Sequence, residues 1–488
     1  MRSVYLRVLF AASLVAGCLP AYAHVDANGM QISTKSPQAH ALFEKGMHKV
    51  EMMHLQDGLE NLRGAVKADP KFALGHILLT FFSQDPAEQL AEREKALAMR
   101  KFAGREEQLI INWLANASQS HWIPAIQAMN EALQAYPRDK HLHWLAGWWL
   151  TLSQNQNQRA IMQFERVIKI DPNFADAWNE AAYCYAKVGN FTKAFADIKR
   201  YTELVPNEAN PQDSFAELSR MAGRFDEALK HYHMSLKIDP TFHESQLGLG
   251  DTYALMGNQA KAREEYAVAI EQGTTVQQVT WSLQLAASYV REGDFAGADK
   301  AFRDAAQQAH SKDFANLESE AYRSMAMYQA ESATALELLQ KAEAVLHEDH
   351  NVPQGLLNEE LAFVLRTRVE LAAHDGNQDR INSALKQLAD LAAAEADDVI
   401  QAAYHGASGS NMLAQGIYAE AISDFEEDQT NPISLRGLAE AYEKSGQKEN
   451  AERFAAKLAA FNIPVFEQAL VVPQFRKDRA SKLATATK

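Results

Sequence analysis

Sixteen histidines are the first residues in this chain whose number raises the question of metal chemistry. Two pairs stand two residues apart, His141 with His143 and His231 with His233. On a helix that spacing turns the side chains about 160° from each other, so neither pair can chelate one ion. The run His347-Glu348-Asp349-His350 is better spaced, because residues three apart share a helix face. It stands just before Pro353, where a solvated polar turn at a helix end is the expected role, and no metal or cofactor is expected. The chain has no glycine-rich phosphate loop, Gly-x-Ser-x-Gly elbow, His-Glu-x-x-His or Cys-x-x-Cys pattern, so no catalytic residue is assigned and enzyme activity is not expected. Cys184, between Tyr183 and Tyr185, reads as a small buried apolar residue.

A second set of residues recurs as pairs four apart, each pair on one helix face: Trp144 and Trp148, Asn179 and Tyr183, Asp213 and Glu217, Leu247 and Asp251. Asp176 and Glu244 precede two of the pairs and add charge. Two tryptophans beside an acidic strip suit an extended peptide with an aromatic or aliphatic anchor and basic residues following it, since buried aromatics dominate binding energy and charge steers approach. The competing reading packs Trp144 and Trp148 against a neighbouring helix and leaves the carboxylates as an ordinary solvated face.

The elements that must position these pairs are short amphipathic helices. The stretch from Ala175 to Glu208 reads as two of them, the first carrying Trp178, Ala181, Ala182 and Tyr185 and the second Ala194, Ile198 and Tyr201. Gly189 between them suits a left-handed helix stop, and Pro206 closes the unit. A step of 34 residues aligns Gly189 with Gly223 and Gly257, Ala194 with Ala228 and Ala262, Ile198 with Tyr232 and Tyr266, and Pro206 with Pro240. The stretch resembles the tetratricopeptide repeat. That resemblance implies an all-α, right-handed α-solenoid of stacked helix-turn-helix repeats, with the recurring pairs on its concave wall. The family's carboxylate-clamp subtype wants basic residues where Asp213 and Glu217 stand, so that subtype does not fit.

In chain order, 1–23 reads as a signal peptide and 24–38 as a flexible lead. Residues 39–312 form the repeat array, 313–400 degenerate helical repeats, and 401–465 a clearer C-terminal repeat pair; 466–488 is a tail, partly disordered. Pro137 and Pro172 are 35 apart, and the extra residue belongs in the turn Gln154-Asn155-Gln156-Asn157 because Gly147 keeps the first helix in register. Ten or eleven helix pairs result. One such unit cannot bury its apolar face alone and is stable only on its neighbours.

Arg2 and Arg7, the apolar run to Val15 and the small-residue site Ala21-Tyr22-Ala23 indicate export across a bacterial inner membrane. Within that segment Val15-Ala16-Gly17-Cys18 resembles a lipoprotein box, in which Cys18 would carry a lipid anchor. A periplasmic or secreted product and a membrane-anchored lipoprotein are thus both open. A formal net charge of −15 makes nucleic acid a poor partner, and no apolar run beyond the first residues reaches the roughly 20 residues of a membrane span. The leading expectation is a non-enzymatic scaffold binding a protein or peptide, with an accessory subunit of an envelope polysaccharide or secretion assembly as the alternative.

Overall fold

The computed structural model describes residue 30 and residues 32–486 apart from 153–154, 349 and 395–396. The proposed signal segment and Cys18 therefore lie outside the described residues. Among the described residues there are 25 α-helices, one 3-10 turn at Arg100–Phe102 and no strand. They run as antiparallel pairs, from Pro37–Glu51 with Leu55–Ala68 to Pro432–Lys444 with Lys448–Ala459, and a last helix, Phe466–Ala486, follows without a partner of its own. The pairs number twelve rather than ten or eleven, because the stretch without a fixed period also holds regular ones: Ala315–Ala326 with Ser332–Leu346, and Gln354–Asp375 with Gln378–Ala394. Helices of 22 and 17 residues in the second of these stretch the unit past 34 and hide its period.

In several pairs a small residue of the first helix is held against a large side chain of the second, most often a ring. A methyl group added at Gly147 would meet the Phe164 ring at 2.5 Å, and one at Gly250 would meet the Tyr266 ring at 2.5 Å. Ala182, Ala216 and Ala286 fill the same position and are fully buried. Close approach brings the backbones together at the point where the large ring lies, so that core density is reached without a void. The turns follow the expected chemistry too. Gly189, Gly223, Gly257 and Gly293 have φ of +83°, +75°, +88° and +86°. Asn155, in the turn assigned the extra residue, takes glycine's left-handed role at φ 50°, and Met53, Ser120 and Asp313 do so in other turns.

The N-terminal lead is less free than its composition suggests. Met30 and Thr34 are buried, the Ser33 N–H donates to Glu107 Oε1 at 2.9 Å, and Ser36 caps a helix that begins at Pro37. At the other end, the tail expected to be partly disordered is helical through Ala486, since Phe466, Ala469, Val471 and Val472 form an apolar face that the array buries.

The superhelix is wound tightly enough for distant turns to touch. His54 lies 2.8 Å from Glu208, Asn155 Nδ2 donates to Thr430 at 3.3 Å, and Gln156 donates to Asp398. The first turn of Gln354–Asp375 rests on the turn 118–120, where a Cβ on Gly355 would stand 3.0 Å from Ser120 Oγ.

Candidate binding surface: the inner wall

The recurring pairs fall on the first helices of successive units, as their spacing requires, but they do not line an open acidic groove. Trp144 is fully buried, packed between Phe82, Phe174 and Trp148 with ring centroids 5.4–6.0 Å apart. Trp148 is half-buried beside it. Both indoles donate to one oxygen of Asp176, at 2.7 and 3.2 Å. Of the two readings of these tryptophans, packing is the one the structure shows: the tight winding brings Phe82 from two units back onto this face, and Asp176 of the next unit satisfies the indole N–H groups.

The carboxylates are likewise engaged. Asn179, fully buried, donates to Asp176 Oδ1 and Glu180 Oε1, each at 3.3 Å. Ser245 donates to Asp213 at 2.6 Å, and Tyr183 OH donates to Glu217 at 2.9 Å. Arg220 then joins the two strands of the strip, donating to Glu217 at 2.8 Å and to Asp251 at 2.6 Å, while Tyr266 OH donates to the other Asp251 oxygen at 2.8 Å. Leu247 packs toward Tyr266, and exposed Glu244 accepts from Gln277 at 3.2 Å. The result is a ladder of buried polar contacts running from unit to unit, which fixes how each repeat sits on the next. Burial holds the Asp176 carboxyl up at about 7 and, with Glu217 beside it, the Asp213 carboxyl up at about 8. An acidic strip so occupied does not offer free charge to a basic peptide.

Reasoning from the pairs missed Arg220, although a signal was present. It occupies the last position of the same stripe, where the neighbouring units carry Ala186 and Ala254. Three further buried arginines continue the pattern. Arg291 donates to Gln468 Oε1 at 2.7 and 3.1 Å, Arg323 makes a fork to Glu360 at 2.8 and 3.2 Å, and Arg366 joins Asp428 at 2.7 Å and Ser434 at 2.9 Å. Gln468 belongs to the last helix. That helix lies along the inner wall, its Phe466 edge-on to Phe302 at 5.7 Å and its Glu467 3.7 Å from Arg323. Asn462, just before it, reaches the Met221 carbonyl at 3.4 Å.

The histidines do not assemble a metal site: among the described residues no group of three His, Cys, Asp or Glu is disposed to hold an ion. His141 pairs with Glu51 at 2.9 Å while His143 meets Gln163 at 2.7 Å. His231 meets Gln212 at 2.7 Å, and His350 spends both ring nitrogens on Asp313 and the Val345 carbonyl. Cys184 is buried, and burial pushes its thiol up to about 12.

A family model described as tetratricopeptide repeat matches residues 164–196, from the second helix of one pair into the second helix of the next. The array is an all-α solenoid of stacked helix-turn-helix pairs that over this stretch is similar to the tetratricopeptide repeat. Curated relatives match parts of it: superkiller complex protein 3 of Mus musculus is 24% identical over 117 residues, 24% of this chain and 8% of that protein. Superkiller protein 3 of Schizosaccharomyces pombe is 20% identical over 271 residues, 54% and 19%. Anaphase-promoting complex subunit CDC16 of Saccharomyces cerevisiae is 35% identical over 86 residues, 18% and 10%. This chain thus spans less than a fifth of the length of each. Among solved structures, the anaphase-promoting complex hetero-tetramer Cut9-Hcn1 is similar at 14% identity and a TM-score of 0.41, covering 86% of this chain and 76% of that one. A tetratricopeptide repeat protein from Parabacteroides merdae is similar at 16% identity and a TM-score of 0.35, covering 62% and 98%.

Proposed function

We propose that this chain is a non-catalytic protein-interaction scaffold of the bacterial cell envelope whose inner wall accepts an amphipathic helix. The observation that carries the reading is the seat of Phe466–Ala486. It meets the wall with an apolar face of Phe466, Val471 and Val472 and with two polar anchors, Gln468 on Arg291 and Glu467 near Arg323. A partner helix of the same chemistry, apolar on one face with a Gln or Glu directed at the arginines, fits that seat. The envelope assignment rests on the basic, apolar and small-residue pattern of residues 2–23.

The test is competition on the full chain. A labelled peptide of residues 464–486 is titrated against wild type and against Phe466→Ala with Val472→Ala, which loosens the chain's own helix. Tighter capture by the variant, by about tenfold, is expected, because the competing internal helix is weakened. Equal weak binding to both chains, or none, overturns the helix-accepting wall. Site-specific crosslinkers on the outward side of the last helix in the native envelope then identify the partner, and an exclusively cytoplasmic chain overturns the location.

A further inference from the structure

Where the tight superhelix meets itself, it leaves a cavity of about 340 Å³ between the ends of three early helices, Ala73–Phe82, Arg105–Ala117 and Lys140–Leu152, and the first turn of Gln354–Asp375. That volume is at the lower end of the roughly 300–1,000 Å³ of small-molecule sites. Its walls are rich in rings, with Phe81, Phe82, Trp122, Trp148 and Trp149 all lining it. Trp122 and Trp149 stand 5.5 Å apart, and Phe82 meets Trp148 edge to face at 5.9 Å. Both Trp122 and Trp149 are nearly inaccessible, and the Trp149 indole N–H closes no hydrogen bond.

One acid lines this cavity. Among the described residues lining it, Glu359 alone is ionisable, and no Lys, Arg or His faces it. The groups acting on Glu359 from packed elements are carboxylates as well: Asp397, at the cap of Asp398–Ala414, and its chain neighbour Glu360, whose own charge is turned toward Arg323. Asp397 accepts from the Val399 and Ile400 N–H groups on one oxygen and has the Trp122 indole directed toward its carboxyl. A ring-lined cavity with one carboxyl and no basic group in its described lining suits a ligand that is both positive and apolar. Ring faces attract a diffuse cation, and a carboxylate supplies its counter-charge.

We infer that this cavity is a binding site for a small organic cation of the alkylammonium class, held over the tryptophan and phenylalanine rings with Glu359 as its counter-ion. The bound cation bridges segments more than 200 residues apart, so its occupancy fastens the early pairs to the Gln354–Asp375 helix and tightens the superhelix. Burial, with Asp397 next to it, holds the empty site's Glu359 up at about 8, so the carboxyl is neutral near pH 7 and gives up its proton as the cation arrives. Binding therefore tightens as pH rises from about 6 to 8 and releases protons.

The probe is choline, compared with its neutral isostere 3,3-dimethylbutan-1-ol, titrated into the full chain by calorimetry in two buffers of different ionisation enthalpy. Tryptophan fluorescence provides a second readout. Choline is expected to bind about tenfold more tightly than the alcohol, with proton release, and Glu359→Gln is expected to abolish that preference while keeping the wild-type melting temperature. Trp148→Phe, a smaller ring at a half-buried position, should weaken choline binding without unfolding the chain. Equal affinity for the two probes, a preference that survives Glu359→Gln, or no saturable binding by either probe overturns the assignment.

Discussion

At the scale of single residues, the inner wall combines buried acids with only enough positive charge to hold some of them ionised. Asp213 is the clearest case. It accepts from Ser245 at 2.6 Å, and burial, with Glu217 beside it, raises its carboxyl from an ordinary value near 4 to about 8. The sign follows directly. Below the unfolded value both states hold the proton and nothing is lost; as pH rises toward 8 the unfolded chain gives it up first, so the native state loses stability across that window. Asp213→Asn keeps an acceptor for Ser245 and removes the titration. Relative to wild type it should gain stability in thermal melts throughout the rise from pH 5 to pH 8, by about 2–4 kcal/mol over that interval. A difference that is the same at both pH values would show that Asp213 is ionised in the folded chain.

At the scale of the helix pair, two kinds of glycine do different work, and substitution separates them. Gly257 sits in a turn at φ +88° with no atom near the place a Cβ would occupy. Gly257→Val should cost about 1–2 kcal/mol through the backbone alone, because a β-branched residue resists that region. Gly250 has helical geometry but faces the Tyr266 ring at 2.5 Å, so Gly250→Ala must push a fully buried ring off its seat. Its cost should be about 1–3 kcal/mol from overpacking. Denaturant melts of both variants check this: a neutral Gly257→Val would show that the turn tolerates another path, and a neutral Gly250→Ala that the pair can widen. The same comparison explains why Asn155 serves in the longer turn, since asparagine tolerates the left-handed region at φ 50° better than most residues.

At the scale of the whole molecule, the last helix acts as a brace. Through Val472, fully buried among Phe425, Leu438 and Leu458, and through Gln468 on Arg291, it ties the final pairs to the middle of the array. A solenoid held only by neighbour-to-neighbour contacts is compliant, whereas one with a strut across its inner wall is not. Val472→Asp places a charge in that buried cluster and should release the strut. Small-angle scattering should then show a larger radius of gyration with nearly unchanged helical circular dichroism. An unchanged radius would mean that the winding is set by the repeats alone.

Much of this was legible from the chain itself, because helix pairing is a local property. The small residue at 147, 182, 216, 250 and 286, the large side chain opposite it on the second helix, and the left-handed turn residue between them all lie within one unit. Such contacts write a period into the residues, and stacking follows from the apolar face that each unit leaves over. Where the helices lengthened, as in Gln354–Asp375, the period disappeared from view although the pairing did not. What tertiary structure alone decided is which way the marked stripe faces the solvent. A pattern of Trp144, Trp148, Asp213 and Glu217 reads the same on an open groove as on a closed one, since periodicity reports the helix face and not the curvature of the array. Curvature is a sum of small rotations over many units, and it brought Phe82 onto Trp144, set Arg220 between Glu217 and Asp251, and carried Gln468 to Arg291 across 177 positions of sequence.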